Sequence, residues 1–412
     1  MVDRIAAASE ALGRGDLESA ERLARSDVHD DGSLAARLVL AQALAWQGRG
    51  RDADAVLDEV DPGTLSEPDL LTWALPRAAN QFWMLDEPER ATAFLRATRG
   101  RVTSGPAVAT VDALLGTFAM NAGSPARAME LAGEVLASPD ADDQAVGWAA
   151  AAAALCTARM GDFAGVDALA LRAIAAGHPG LLRFTSALGQ TTAMVLTGDL
   201  DGAQRLAEDL VDGADAGPGA AIARLLVADV LLWRGDAESA ATLLDGAATA
   251  LAPTGYSWGP LAWMMLAQSL GQLGRTADAG RMLARAEARH GLKSMLFAPE
   301  LALAKAWTSA ARRDAPGAVD AAREAARAAE RGGQRAVALR ARLDGVRLGD
   351  TRVADGIERL GMDCVVAGFA LDYARALVAG DSAGLVAASE AFAGIGMAGV
   401  AADAARQAAA VR

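Results

Sequence analysis

GDLESA (Gly15–Ala20), GDLDGA (Gly198–Ala203) and GDAESA (Gly235–Ala240) are copies of one hexapeptide: a turn residue, often Gly-Asp, with a small apolar residue five positions on. Further copies are GRGRDA from Gly48, DEPERA from Asp86, GSPARA from Gly123, GDFAGV from Gly161 and GRTADA from Gly274. Weaker ones begin at Arg313, Gly349 and Gly380. Successive turns lie 31 to 39 residues apart, most often 37. That interval holds two helices of about 14 residues and two short connections, so it predicts an αα-hairpin repeated about eleven times. Alanine with arginine and glutamate favours helix throughout. Glycine suits the left-handed end of a first helix, and the following Asp is placed to cap a second.

The same register has a second mark. Seven positions before each turn stand Ala8, Ala41, Ala79, Gly116, Ala154, Thr191, Ala228, Ala267 and Ala306, all small enough to let paired helices approach. Arg342 and Tyr373 break the rule after Gly349, so the last units read as degenerate.

Composition narrows the function classes. The 412 residues carry 39 Lys+Arg against 52 Asp+Glu, a net charge of −13, which disfavours direct nucleic-acid binding because phosphates need a basic patch. Cys156 and Cys364, far apart, give neither a disulfide framework nor metal-ligand spacing. The N-terminus lacks the apolar core of a signal peptide, and no apolar run is long enough to span a bilayer. A cytoplasmic protein with no membrane contact is expected.

The turn glycine and the alanine five residues on resemble the tetratricopeptide repeat, stretched to a period of about 37. The resemblance implies an all-α, right-handed α-solenoid over residues 1–361, with 362–412 as a degenerate terminal repeat and helical cap of the same solenoid. A narrower resemblance lies in FALDYARALVAGDSAGLVAASEAFAGIGMAGVAADAARQAAA, from Phe369 to Ala410. It looks like the stretch before the DNA-binding domain in LuxR-type signal-transduction ATPase regulators of the maltotriose-responsive activator class. In that family an ATPase, a helical-repeat sensor and a helix-turn-helix follow in order, and the repeat region binds the inducer. This sequence has no G-x-x-x-x-G-K-[ST] phosphate loop and no basic helix-turn-helix segment, so the resemblance implies the sensor region alone.

Other motifs have a structural reading. Gly394, Gly396 and Gly399 spell G-x-G-x-x-G, but a dinucleotide site needs a preceding strand. Gly380, Ser382 and Gly384 spell G-x-S-x-G, yet no histidine follows to complete a triad. No catalytic set, metal site or cofactor is expected, and the chain is not expected to be an enzyme.

In the tetratricopeptide hairpin the first helix lines the concave groove, and the resemblance puts its groove-facing positions 13, 10, 6, 3 and 2 residues before the turn. Five offsets in eleven repeats cover 55 of 412 positions, so chance would place about one of the eight tryptophans on them. Six land there: Trp46, Trp73, Trp83, Trp148, Trp233 and Trp307. So do both asparagines, Asn80 and Asn121, together with Gln42, Thr117, Arg159, Thr192, Asp229 and Gln268. Indole faces cover the C–H face of a pyranose while amides and carboxylates take its hydroxyls. The stripe therefore predicts a ligand site for a small neutral saccharide, and the family resemblance implies a maltose or trehalose type. In that context the partners would be the ATPase and DNA-binding domains of a longer regulator. The alternative is a protein-interaction scaffold that holds a peptide or helix in the groove.

Overall fold

The computed structural model describes residues 4–30, 32–177, 181–214 and 217–411. Among these residues the chain forms 23 α-helices, eleven pairs and one unpaired helix at the C-terminal end. The pairs are α1 (Arg4–Gly13) with α2 (Leu17–Asp30), α3 (Leu34–Trp46) with α4 (Gly50–Asp58), α5 (Glu67–Ala79) with α6 (Pro88–Arg99), and α7 (Gly105–Asn121) with α8 (Pro125–Ala137). They continue as α9 (Asp143–Met160) with α10 (Val166–Ala175), α11 (Leu182–Thr197) with α12 (Leu200–Asp212), α13 (Pro218–Arg234) with α14 (Ala237–Leu251), and α15 (Trp258–Gln272) with α16 (Thr276–Arg289). The last are α17 (Ala298–Ala311) with α18 (Ala315–Arg331), α19 (Arg335–Arg347) with α20 (Ala354–Arg359), and α21 (Val365–Ala379) with α22 (Ser382–Gly394), followed by α23 (Ala398–Ala410). The fold is a tetratricopeptide-like α-solenoid, as the hexapeptide spacing predicts.

The reason lies at the turns. All eleven turn positions have positive φ, from 59–62° at Asp86, Arg313 and Gly380 to 96° at Gly198, and only the two non-glycines are strained by it. One residue further on, the amide donates back to the helix just ended, as Asp16 N does to Ala11 O (2.9 Å) and Asp199 N to Met194 O (2.8 Å). Asp16, Asp199, Asp236 and Asp314 then cap the second helix, each accepting from a backbone N–H three residues on. The residue five past the turn is buried in the first nine hairpins, from Ala20 to Ala318. Most of the small residues seven positions before the turns are buried as well, whereas Ala79 is half-buried.

The third hairpin departs from the rule. Pro76 lies inside α5, and a five-residue π-helix, Asn80–Met84, follows it. Proline cannot donate to the preceding turn, and the ladder relaxes by taking in one extra residue. The amide after this turn accordingly reaches back six residues, Glu87 N to Gln81 O, rather than five. One residue is roughly 100° of helix rotation, so the side chains upstream of the bulge are turned relative to every other first helix.

The solenoid coils tightly enough to meet itself. Helix α9 touches α19, α11 touches α21, and α13 touches α23, each about five hairpins further along. Gly235, in the seventh turn, lies so close to Gly399 at the start of α23 that a Cβ on either would collide with the other's backbone. This is why the last glycine of the G-x-G-x-x-G string is a glycine. The core of the C-terminal hairpins is continuous with the sixth and seventh: Val195, Leu200 and Val230 share one cluster with Val366, Tyr373 and Phe392. Tyr373, which breaks the small-residue rule, is fully buried in it.

Candidate functional site

The first helices of the fifth to tenth hairpins face inward, and where the coil meets itself their polar residues pair across it. Arg159 on α9 reaches Glu300 on α17 (Nη2 to Oε1, 2.8 Å), donates to the Leu296 carbonyl (2.9 Å), and donates from Nε to Gln334. Arg340 on α19 donates to Asp229 on α13 (2.8 Å). Arg347, also on α19, joins Asp344 (2.9 Å) to Asp403 on α23 (2.7 Å). Each guanidinium also lies over a ring: Arg159 over Phe297 at 5.3 Å, Arg340 over Trp233 at 4.8 Å, Arg347 over Trp307 at 4.6 Å. Burial opposes the charge on Arg340 and Arg347, but the carboxylates around them outweigh it and hold both pKa values above the ordinary arginine value.

Between these pairs lies a cavity of about 40 Å³. Arg159, Thr192, Asp229 and Trp233 line one side, and Gln268, Phe297, Glu300 and Arg340 are on the other. A smaller cavity of about 10 Å³ continues past Gln268 toward Asp344 and Arg347. The inner wall is therefore filled along this stretch.

Five of the stripe residues, Arg159, Thr192, Asp229, Trp233 and Gln268, thus meet at one place. Trp307 lies beside it, with its indole N–H on Asp344 (3.1 Å) and its face under Arg347. The other eight do not line the central cavity. Trp73 is buried: its N–H donates to the Leu57 carbonyl (2.8 Å) and its ring meets Phe94 edge-on. The π-bulge between Trp73 and its turn is the reason, since it rotates position −13 of this hairpin away from the groove face. Asn80 donates to the Gly50 carbonyl (2.8 Å), and Thr117 and Asn121 bond carbonyls of their own helix. Trp83 is half-buried between Phe118 and Tyr256, Trp148 is half-buried, and Trp46 and Gln42 are exposed.

Arg340, Asp344 and Phe297 stand at none of the five offsets, so the stripe misses them. Glu300 stands on an offset, 13 residues before its turn, and is legible there as a polar groove residue, whereas Arg347, 2 residues before its turn, carries no tryptophan or amide to mark it. The G-x-S-x-G serine is a structural residue: the Ser382 hydroxyl donates to the Ala408 carbonyl (3.1 Å). Among the described residues no group of three His, Cys, Asp or Glu side chains could hold a metal ion, and no helix is long and apolar enough to cross a membrane.

The fold is similar to that of a Rap protein solved in complex with competence and sporulation factor. The TM-score is 0.52 at 13% identity, over 84% of this chain and 98% of that one. A tetratricopeptide repeat protein from Parabacteroides merdae is similar at a TM-score of 0.41 and 16% identity, over 60% of this chain and 92% of that one. At such identity the likeness concerns fold alone. No protein-family model matches the chain, and no curated protein matches its sequence.

Proposed function

We propose that the chain is a non-enzymatic interaction module whose inner wall holds a segment of a partner protein. One observation carries this reading: the inward-facing charges are paired across the coil, Arg159 with Glu300 and Arg340 with Asp229, rather than fixed within one hairpin. A polypeptide offers N–H, C=O and charged side chains in alternation, which are groups these pairs can exchange with, and its entry would loosen one turn of the coil from the next. That the Rap protein of similar fold was solved with a bound factor supports the reading as well. Cross-linking followed by mass spectrometry, on the full chain exposed to its native lysate, tests it. Cross-links from a discrete protein to α9, α13 or α19 are expected; capture confined to the outer helices, or none, would overturn it.

A second reading is the neutral-oligosaccharide sensor of a transcriptional regulator. It is favoured by the meeting of Arg159, Thr192, Asp229, Trp233 and Gln268 at one cavity. Two observations weigh against it. A volume of about 40 Å³ is room for roughly three waters and far below a disaccharide. The ring faces of Trp233 and Trp307 are covered by guanidinium groups instead of standing free for a pyranose. A saturable change of tryptophan fluorescence with a maltose- or trehalose-type sugar would put this reading first.

A further inference from the structure

We propose that the central cavity is a binding site for a small zwitterion of the α-amino acid class, a ligand with one ammonium and one carboxylate on a short carbon frame. The wall holds two cations, Arg159 and Arg340, and two anions, Asp229 and Glu300, so it is balanced before anything binds. A lone anion or cation would leave an uncompensated buried charge, whereas a net-neutral zwitterion keeps the balance. The wall also has hydrogen-bond capacity that its own pairs leave over. Glu300 is 9% exposed; one carboxylate oxygen meets Arg159, while Oε2 is buried with no hydrogen-bond partner among the described residues. Asp229 gives Oδ1 to Arg340, and no bond within the described residues reaches its other oxygen. Gln268, 4% exposed and facing both cavities, has no side-chain partner there either. A buried acceptor with its bond unmade is costly, and Glu300 Oε2 is such an atom, while the free positions on Asp229 and Gln268 lie in the wall beside it, so the site is built for an occupant.

The chemistry of the occupant follows from what is left over. The open positions at Glu300, Asp229 and the Thr192 hydroxyl, which donates to Leu188 O and keeps its lone pairs, accept hydrogen bonds as an ammonium requires. Gln268 and Arg340 can donate to a carboxylate. Leu188, Leu261 and Met265 leave space for a short uncharged side chain. The volume, roughly three waters, matches glycine, alanine or serine. The inference does not rest on the partner reading: such a ligand ties α9, α11 and α13 to α15, α17 and α19, whereas a partner segment would exchange with the same pairs and displace it.

Thermal unfolding of the full chain, titrated with glycine, L-alanine and L-serine to about 10 mM, reads the site directly. A concentration-dependent rise in Tm is expected for at least one of them, with no rise for methylammonium, acetate or glycerol. Glu300→Gln and Thr192→Val are expected to weaken the apparent affinity by about tenfold or more each, with unchanged helical circular dichroism. If no amino acid raises Tm, or if glycerol or either half-molecule works as well as the zwitterion, the proposal is overturned and the cavity holds water. The wild-type titration decides this even if a variant does not fold.

Discussion

Arg340 shows how a single side chain can serve several partners. Its guanidinium closes on Asp229, lies over Trp233 and forms part of the cavity wall. Removing it strands a buried carboxylate. Arg340→Ala is therefore expected to lower unfolding stability by about 3–5 kcal/mol in denaturant titrations, while Arg340→Met with Asp229→Leu recovers most of the loss. Equal losses in the single and double variants would show that the pair contributes nothing beyond packing. Nothing in the repeat pattern marks this residue. It stands nine positions before its turn, where no repeat rule looks, and its partner lies 111 residues away in the chain. Arg159, Asp229 and Gln268 are legible because they stand at groove offsets of the repeat, Asp229 and Gln268 six residues before the turn and Arg159 two. The offsets do not show what the pitch of the coil sets against them.

At the scale of the element, the turns were the legible part. A left-handed residue leaves a mark in composition, and the eleven positions marked by the hexapeptide all have positive φ. Two of them are not glycine. Arg313 is exposed, in αL conformation with φ 61°, and costs roughly 1–2 kcal/mol there. Arg313→Gly is expected to raise stability by about 0.5–1 kcal/mol, with a matching rise in Tm, because part of the relief is offset by the freer unfolded glycine. Asp86 is the poorer test, since its carboxylate faces Lys293 at 4.0 Å. The π-bulge after Pro76 leaves no comparable mark in composition, so the repeat register places Trp73 on the groove face while the structure buries it. Between hairpins three and four, Glu67 accepts from the hydroxyl and amide of Ser104 and from Thr103, which holds its pKa down at about 2. Its ordinary value is 4.5, so this contact stabilises the fold above pH 4.5 and is lost as pH falls toward 2. Glu67→Gln should flatten the acid side of a stability profile in that window and leave the neutral side nearly parallel to wild type.

For the molecule as a whole, the decisive feature is that the coil closes on itself. Arg159, Arg335 and Lys293 each bridge stretches far apart in sequence: Arg159 to Gln334, Arg335 to the Met160 carbonyl (2.9 Å), and Lys293 to the Trp83 carbonyl (2.9 Å). Arg159→Ala together with Arg335→Ala should loosen this seam, seen as a larger radius of gyration by small-angle X-ray scattering at unchanged helix content. An unchanged radius would mean that apolar packing alone holds the coil shut.

The contact of Gly235 with Gly399 has a consequence for how such a chain can evolve. An open array gains or sheds a unit with little penalty, because each unit knows only its neighbours. Here deletion of one hairpin between the seventh turn and α23 would bring a different surface against that bare backbone, and every bridge along the seam would miss its mate. The number of units is therefore locked, and the array should melt in one step like a globular domain instead of fraying from its ends.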